Sequence, residues 1–365
     1  MHPVESLEKD LERLHAEGLR RVRAAPIQSP GIDVSSNDYL GYAGRIVSRE
    51  TVVRTGAGAS RLVTGTHECH TVLERALADW VGLPEALVFS SGYAANTGAL
   101  SAIAGAGHLI VSDQLNHASI VDGCRLSRAR VVVVPHRDCD AIERALRESD
   151  PQQPRWVVTE SYFSMDGDSP DLSRLRRLCD AFQAGLCVDE AHALGVFGPH
   201  GSGLCSALGV RPDVLVGTLG KAVGVQGAFV AGSRTVTDYL WNRARSLVFS
   251  TAISPLLAQV TLENVEAVRG DDPGRLRLRE LCIRFRELLG DAAGSTTGPI
   301  FPILLGTPDR ATAAARALAA QGFLAVAIRP PTVPNGTSRL RVSLTTQLTD
   351  DDIVRLAAAL RECLE

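Results

Sequence analysis

The stretch GLCVDEAHALG, residues 185–195, places an acidic residue at the end of a short apolar run. Six more runs of this kind lie between about residues 85 and 231, and helical patterns separate them. This alternation predicts an α/β fold with a mainly parallel seven-stranded sheet. Ligands of such open sheets bind beyond the carboxyl ends of the strands, so the residues that follow the runs are the first candidates for a site. The other runs are ALVFS, LIVS, RVVVVP, RWVVTE, DVLVGT and GAFVAG.

The sequence predicts two further segments around this sheet. After a long helical stretch from about Ser254 to Leu289, the runs PIFPILL, FLAVAI and RLRVSL alternate with helical patterns near 309–321 and 350–364. We therefore expect a large domain at 35–267 and a small α+β domain at 268–365. The helical spacing of Val4, Leu7, Leu11, Leu14 and Leu19 predicts an N-terminal helix that the Pro- and Gly-containing stretch 26–31 ends. We expect this helix to belong to an N-terminal helical arm at 1–34.

The composition excludes several classes of protein. The chain has 365 residues, 45% of them hydrophobic, and a formal net charge of −3, so it offers no electrostatic reason to bind nucleic acid or a membrane surface. The first ten residues, MHPVESLEKD, lack the apolar run of a signal peptide, and we expect a cytoplasmic protein. None of the eight cysteines forms a CxxC pair, which argues against a zinc ribbon or a redox motif, and we predict no metal site.

Lysine is almost absent from the chain. Only Lys9 and Lys221 are lysines, so 36 of the 38 basic residues other than histidine are arginine. Arginine can replace the charge of lysine but not its deprotonatable primary amine, which Schiff-base chemistry requires. Lys9 lies in a helical pattern typical of solvated charge. Lys221 lies in the glycine-flanked segment GTLGKAVG, directly after a predicted strand, and is the stronger candidate for chemistry.

Three other segments end predicted strands with polar residues. Asp189 and His192 follow the strand GLCVD, and a buried Asp189 needs a cationic or hydrogen-bonding partner, which a protonated pyridine nitrogen would supply. A helix N-cap is the alternative role of this acid. SSGYAAN at 90–96 opens a helix, where backbone amides can bind phosphate. His117 in NHAS could stack on an aromatic cofactor, or could be an ordinary satisfied polar group.

Other site chemistries find little support in the sequence. GAGASR at 56–61 has Arg61 where a dinucleotide fingerprint needs its third glycine, and the chain contains no GxxxxGK[ST] segment. HECH at 67–70 is one residue short of HExxH, and no GxSxG segment occurs. Nucleotide-loop, zincin and α/β-hydrolase readings are therefore not favoured.

The order of these segments resembles that of fold-type I pyridoxal phosphate (PLP) enzymes, and within them the α-oxoamine synthase family. The matching motifs are SSNDYLG, SGYAAN, NHAS, TESYFSMDGD, VDEAH and GTLGKAVGVQGAFV, from residue 35 onward. The late segment AIRPPTVPNGTSRLRVSLT is similar to the branch that forms 8-amino-7-oxononanoate. The chain differs from the family in a short stretch before SSNDYLG and in Gln347, where a histidine is common.

The resemblance implies a role for each matching residue. Lys221 would be the internal Schiff base and the acid/base for the amino acid Cα proton, Asp189 would pair with the pyridinium nitrogen, and His117 would stack on the ring. His192 and Ser164 would contact the ring hydroxyl. Phosphate would be held by the backbone at Gly92 and Tyr93, by the Thr218 hydroxyl, and by Ser250 or Thr251 of a second subunit. Substrate contacts would come from Arg341, which would clamp the amino acid carboxylate, and from Asn37 and Glu160.

The implied reaction condenses L-alanine with pimeloyl-CoA, or with its carrier-protein thioester, to give 8-amino-7-oxononanoate, CoA and CO2 for biotin synthesis. Residues shared between subunits imply an obligate homodimer. Two alternatives stay open. A related synthase could use another amino acid or acyl thioester, as in 2-amino-3-ketobutyrate ligase-like or secondary-metabolite enzymes. A non-catalytic fold-type I regulator or partner subunit is disfavoured because Lys221 and Asp189 are both present.

Overall fold

The computed structural model describes residues 3–20, 31–46 and 54–364. Its helices are α1 Pro3–Ala16, α2 Glu68–Val81, α3 Gly92–Ile103, α4 Ala118–Ser127, α5 Cys139–Arg147, α6 Leu172–Ala181, α7 Leu204–Ala207, α8 Arg234–Arg243, α9 Arg245–Val248, α10 Pro255–Gly270, α11 Asp272–Leu289, α12 Pro308–Ala320 and α13 Asp350–Leu364. Its strands are β1 Ile32–Asp33, β2 Glu85–Phe89, β3 Leu109–Asp113, β4 Arg130–Val134, β5 Arg155–Glu160, β6 Gly185–Asp189, β7 Val214–Thr218, β8 Ala228–Gly232, β9 Ile300–Gly306, β10 Phe323–Leu324, β11 Val326–Ile328 and β12 Ser338–Ser343.

The seven apolar runs form one seven-stranded sheet, as predicted. Its strand order is β2-β8-β7-β6-β5-β3-β4, and only β8 runs antiparallel to its neighbours. Both faces are covered, which explains why the runs are continuously apolar rather than alternating. Consecutive residues of β5 illustrate this, because Val157 and Val158 are each 1% exposed and pack in core clusters on opposite faces.

The parallel strands end at one edge of the sheet with polar residues. Five strands that run in the same direction end in or are directly followed by Ser90, Asp113, Glu160, Asp189 and Thr218. Because β8 runs the other way, the residues that precede it lie at the same edge. This edge is therefore where the fold gathers groups that can do chemistry.

The chain divides into two compact units. One comprises Asn37–Ser164 and Asp168–Arg277, and the other comprises Met1–Ser36, Met165–Gly167 and Leu278–Glu365. The first 36 residues thus group with the C-terminal part, and the division after Arg277 falls inside α11 rather than at residue 267. Compact units are defined by contacts in space, whereas the domains predicted from sequence were continuous segments, so the predicted domain limits stay a prediction.

The C-terminal unit contains the α+β pattern predicted for it. Strands β11, β12 and β9 form an antiparallel sheet, and β1 pairs in parallel with β10. Within β12, Arg339 and Arg341 are 4% and 6% exposed, so neither is a surface charge. Arg339 forms an ion pair with Asp166 at 2.6 Å, whereas Arg341 donates to the Ser343 hydroxyl at 3.0 Å.

Two helix predictions need correction. Helix α1 ends at Ala16, before the stretch 26–31 that was expected to end it, because Gly18 takes a left-handed conformation (φ 67°) and closes the last turn. The helical stretch 254–289 is interrupted at Asp271, whose side chain accepts from the Gly274 amide and starts α11. Residues 21–30 and the side chain of Lys9 lie outside the described part of the chain.

None of the described helices is long and apolar enough to cross a membrane.

A buried charge cluster ties together the segments that follow β3, β4 and β5. His136 lies between two carboxylates, with Nδ1 3.0 Å from Asp113 and Nε2 3.2 Å from Asp168, and the Phe163 ring packs edge-on against it at 4.4 Å. Burial lowers the pKa of His136, but the two carboxylates outweigh burial and raise it to about 9. Arg137 also donates to Asp168, at 2.7 Å.

We expect His136→Asn to lower the free energy of unfolding by about 2 to 3 kcal/mol at pH 7. Because the pKa of His136 is higher in the folded than in the unfolded state, its protonation stabilises the fold. This contribution is complete below about pH 6.5 and is lost as the pH rises through about 9. The difference between wild type and variant, measured by urea unfolding, should therefore shrink on going from neutral pH to about pH 10. Asn116→Ala, at a buried amide that does not titrate and donates to the Val158 carbonyl, should show no such trend. A His136→Asn difference that stays constant with pH would contradict the charge assignment.

Candidate active site

A cavity of about 330 Å³ opens at the polar edge of the sheet, a volume within the range of small-molecule sites. Strand ends, helix starts and the loop before β8 form its wall. Nine residues predicted from the sequence line it together: Asn37, Gly92, Tyr93, His117, Glu160, Asp189, His192, Thr218 and Lys221. All nine belong to the larger compact unit.

Lys221 stands in a tight turn directly after β7. Its half-buried amine donates to the Thr218 hydroxyl at 3.2 Å. The turn closes through the Gly224 amide, which donates to the Lys221 carbonyl at 2.8 Å. Gly224 has a φ of 71°, and a Cβ there would lie 2.4 Å from the Ala43 amide nitrogen, so glycine is needed on both counts. The turn thereby holds the lysine amine at the cavity wall.

Asp189 ends the central strand β6 with its carboxylate held by two N–H donors. Asn96 donates to Oδ2 at 2.7 Å and the Ala191 amide donates to Oδ1 at 2.8 Å. The residue is 6% exposed, so these donors offset much of the cost of removing a carboxylate from water. The alternative role as a helix N-cap is not seen, because no helix begins at Asp189 in the described chain.

His192 and His117 stand on two other walls of the cavity. His192 Nδ1 is 2.7 Å from the hydroxyl of Tyr39, which is fully buried. His117 caps α4 and accepts from the Ser119 amide through Nδ1 at 3.2 Å. Its ring is open to the cavity, but desolvation by the surrounding protein lowers its pKa; the nearby Lys221 charge acts in the same direction and Asp189 opposes it.

Glu160 brings a second acid to the cavity at the end of β5. Burial and then the Asp189 charge raise its pKa to about 8, against the opposing effects of the His117 and Ser164 amides and the Lys221 charge. The carboxyl accepts from the His117 amide at 2.6 Å. A group with this pKa holds a proton near neutral pH, so it can serve as a hydrogen-bond donor inside the cavity.

The start of α3 provides a place for an anion. Ser91 caps the helix by accepting from the Ala94 amide at 3.1 Å, and the amides of Gly92 and Tyr93 in the first turn have no intrahelical acceptor. A Cβ at Gly92 would lie 2.6 Å from the Thr218 methyl group, so only glycine allows this close approach. Two amides and the Thr218 hydroxyl thus border the same part of the cavity.

Comparisons with known proteins agree with this arrangement. Residues 29–360 match the family "Aminotransferase class I and II". The 8-amino-7-oxononanoate synthase of Anaeromyxobacter dehalogenans is 47% identical over 92% of this chain and 89% of its own. The chain belongs to the 8-amino-7-oxononanoate synthase family. Among solved structures, serine palmitoyltransferase (SPT) of Sphingomonas wittichii has a TM-score of 0.90 at 27% identity, with 99% of this chain and 97% of that one covered. A structure of SPT with PLP as the internal aldimine has a TM-score of 0.89 at 27% identity, covering 98% and 96%.

Four residues expected from the resemblance to this family lie elsewhere. Ser164 is buried but does not line the cavity. Ser250 and Thr251 border a separate small cleft together with Arg61. Arg341 belongs to the other compact unit. The roles expected of these four residues therefore stay a prediction, and for Ser250 and Thr251 that prediction concerns the site of a second subunit.

The sequence prediction also missed functional neighbours that the structure reveals. Asn96 and Ser119 line the cavity, are 2% and 0% exposed, and hydrogen-bond to each other at 3.0 Å. Tyr39 holds His192, and Gln226 lines the cavity next to the start of β8. The available signal was a polar residue on an otherwise mostly apolar helix, since Asn96 is the one amide side chain of α3.

Proposed function

We propose that this chain catalyses the PLP-dependent decarboxylative condensation of L-alanine with pimeloyl-CoA or a pimeloyl carrier protein. The products are 8-amino-7-oxononanoate, the free thiol and CO2, as a step of biotin synthesis. The observation that carries the proposal is the meeting of a lysine amine, Lys221, and a doubly hydrogen-bonded carboxylate, Asp189, in one cavity. The identity of 47% to a curated 8-amino-7-oxononanoate synthase supports this choice of reaction.

The residues of the cavity fit PLP on structural grounds. The first turn of α3 and the Thr218 hydroxyl supply phosphate donors where Gly92 leaves room. Asp189 offers a buried carboxylate to a pyridine nitrogen, and His117 offers a ring open to the cavity. His192 and Ser164 are our candidates for the ring hydroxyl, although Ser164 would need to reach the cavity from behind its wall. The cofactor, when bound, supplies an electron-withdrawing ring that stabilises negative charge at the amino acid Cα.

Lys221 moves the proton in this scheme. Its amine would hold the cofactor covalently in the absence of substrate, and once free it would take the proton from Cα and return one at the end of the cycle. The Thr218 hydroxyl at 3.2 Å orients the amine. Asp189 would pair with a protonated pyridine nitrogen of the cofactor, and its two N–H donors keep the carboxylate in place. Asn37 and Glu160 are left to contact the substrate, Glu160 as a donor while it is protonated.

The function is tested by supplying the purified protein with amino acids and acyl thioesters and measuring released thiol. With a pimeloyl thioester, we expect L-alanine to give more activity than L-serine or glycine. With L-alanine, we expect a pimeloyl thioester to give more activity than palmitoyl-CoA. The similarity to SPT is the reason for including serine and palmitoyl-CoA in this panel. A preference for another amino acid or thioester would favour a related synthase. No thiol release with any pair would leave a non-catalytic role.

We expect Lys221→Ala and Lys221→Arg both to abolish product formation and the absorbance of a lysine-bound cofactor. Arginine keeps the positive charge but has no deprotonatable primary amine at neutral pH, so charge alone cannot restore activity. Lys9→Arg is the matched control, since it changes the one other lysine of the chain and should leave both signals intact. Substantial turnover by Lys221→Arg would refute the assignment of the amine.

Arg341 is our candidate for the clamp on the substrate carboxylate. Replacing it by lysine keeps the charge but loses the two-point guanidinium fork. We expect Arg341→Lys to raise the KM for L-alanine about ten- to a hundredfold, the loss of about 1.5 to 3 kcal/mol typical of a charge-assisted contact, with little change in the KM for the thioester. Arg339→Lys is the control: it disturbs the ion pair with Asp166 and should affect stability rather than alanine KM. Equal effects of both variants on alanine KM would place the carboxylate elsewhere.

We also propose a cytoplasmic homodimer with shared active sites. Thr251 pairs with Ser60 through the backbone, and two large apolar side chains nearby in sequence, Val63 and Phe249, are 74% and 73% exposed. Large exposed apolar side chains are typical of a surface that is covered in an assembly. Ser250 or Thr251 would then complete the phosphate site of a second copy.

Mixed dimers test this sharing. A dimer of one Lys221→Ala subunit and one Thr251→Val subunit has one site with both lesions and one with neither, so we expect mixing the two inactive or weak variants to restore up to about half of the wild-type activity per mixed dimer. Subunit exchange is checked by mass spectrometry of the mixed protein. Verified exchange without recovery would mean that each site is built from one chain.

A further inference from the structure

Asn96 lies one turn into α3 and uses both of its amide hydrogens inside the protein. It donates to Asp189 Oδ2 at 2.7 Å and to the Ser119 hydroxyl oxygen at 3.0 Å. The side chain is 2% exposed, so water does not compete for either bond. A carboxylate can only accept a hydrogen bond, which fixes the nitrogen of the Asn96 amide toward Asp189.

The chain of hydrogen bonds continues from Ser119 to His117 with a defined direction. The Ser119 amide donates to His117 Nδ1 at 3.2 Å, so Nδ1 carries a lone pair and a neutral ring has its proton on Nε2. The Ser119 hydroxyl lies 2.7 Å from the same nitrogen and must therefore be the donor. Its oxygen is left to accept from Asn96.

Close packing of two helices brings the members of this chain together. A Cβ at Gly123 of α4 would lie 2.9 Å from the Asn96 carbonyl oxygen and 3.0 Å from the Leu100 Cβ, so only glycine permits this separation of α3 and α4. The distance between the helices is thus set by a residue that touches neither Asp189 nor His117.

We propose that Asn96 is a positioning residue that couples Asp189 to His117, the two residues that would hold the ring of the cofactor. The inference rests on the proposed function, because that function gives both residues their roles. Asn96 holds the carboxylate by one N–H bond and, through the Ser119 hydroxyl, holds His117 in its neutral Nε2–H form. Removing it disturbs both contacts to the cofactor at once.

An aspartate in place of Asn96 separates this role from simple side-chain packing. The two side chains have nearly the same shape, but an aspartic acid has one hydrogen at most and an aspartate has none, whereas the asparagine amide has two. In either form residue 96 would accept from the Ser119 hydroxyl and draw its hydrogen away from His117. The imidazole would then donate from Nδ1 to the Ser119 oxygen, and the 3.2 Å bond from the Ser119 amide to that nitrogen would be lost.

The test is ¹⁵N NMR of the histidine rings in the full chain, recorded with and without PLP, with the His117 signals assigned from a His117→Gln variant. In the wild type we expect an unprotonated Nδ1 and a protonated Nε2. In Asn96→Asp we expect a proton on Nδ1, a higher pKa of His117, and kcat for L-alanine lowered at least about tenfold with KM changed less than about threefold. The charged groups that act on His117 in the wild type are Asp189 and Lys221, and the acid introduced at position 96 adds to them, so the ring tautomer and not the pKa decides the test.

Asn264→Ala serves as the matched control. Asn264 is also 2% exposed and also bridges two partners, Arg45 and the Val223 carbonyl, but it has no contact with Asp189 or Ser119. It should lower thermal stability without moving the His117 proton. If Asn96→Asp does not fold, Ser119→Ala decides, because it removes the hydroxyl and should change the Nδ1 signal while the bond between Asn96 and Asp189 is kept.

The outcomes separate the two levels of the argument. A wild-type His117 with its proton on Nδ1, or the same tautomer in wild type and Asn96→Asp, would overturn the role of Asn96 whatever the reaction is. Absence of thiol release from the wild type with every thioester would instead overturn the proposed function, while the ring signals still report the hydrogen-bond chain. Loss of kcat in Asn96→Asp together with the tautomer change supports both.

Discussion

A carboxylate at the buried end of the central strand is the constraint on which the site depends. Asp189 is 6% exposed, and an unpaired carboxylate at such depth would cost several kcal/mol. Two N–H donors offset this cost, namely the backbone amide of Ala191 and the side-chain amide of Asn96 on α3. Because α3 must approach closely enough to supply that donor, its position against α4 and the sheet is tied to the chemistry of the cavity.

The topology of the sheet alone places the other polar groups close to this carboxylate. Parallel strands end at a common edge, so Glu160 and Thr218 come beside Asp189 simply by ending neighbouring strands. Glycines then set how near the loops can come, as at Gly92 against Thr218. Glu160, the second acid in the same cavity, has its pKa raised to about 8 mainly by burial.

The sequence predicted those parts of the protein that follow from local pattern. Strand ends were readable, and with them Asp189 and Lys221, because each follows an apolar run. Asn96 was not, since its importance comes from helix packing at Gly123, a contact between segments 27 residues apart that no local spacing records. The early end of α1 at Gly18 shows the same limit on a smaller scale, because a single left-handed glycine outweighed an apolar spacing that continued beyond it.

The near absence of lysine gives the Lys221 amine a use in chemical labelling. Only two side chains of the chain can react as primary amines, and Lys221 is half-buried in the cavity wall. An acylating reagent would find only Lys9 and Lys221 among the side-chain amines, so a label on Lys221 would report that its cavity is open. The intact mass gives the number of labels per molecule, and this number counts the accessible amines. Because arginine supplies nearly all the other positive charge, amine reagents label few further positions.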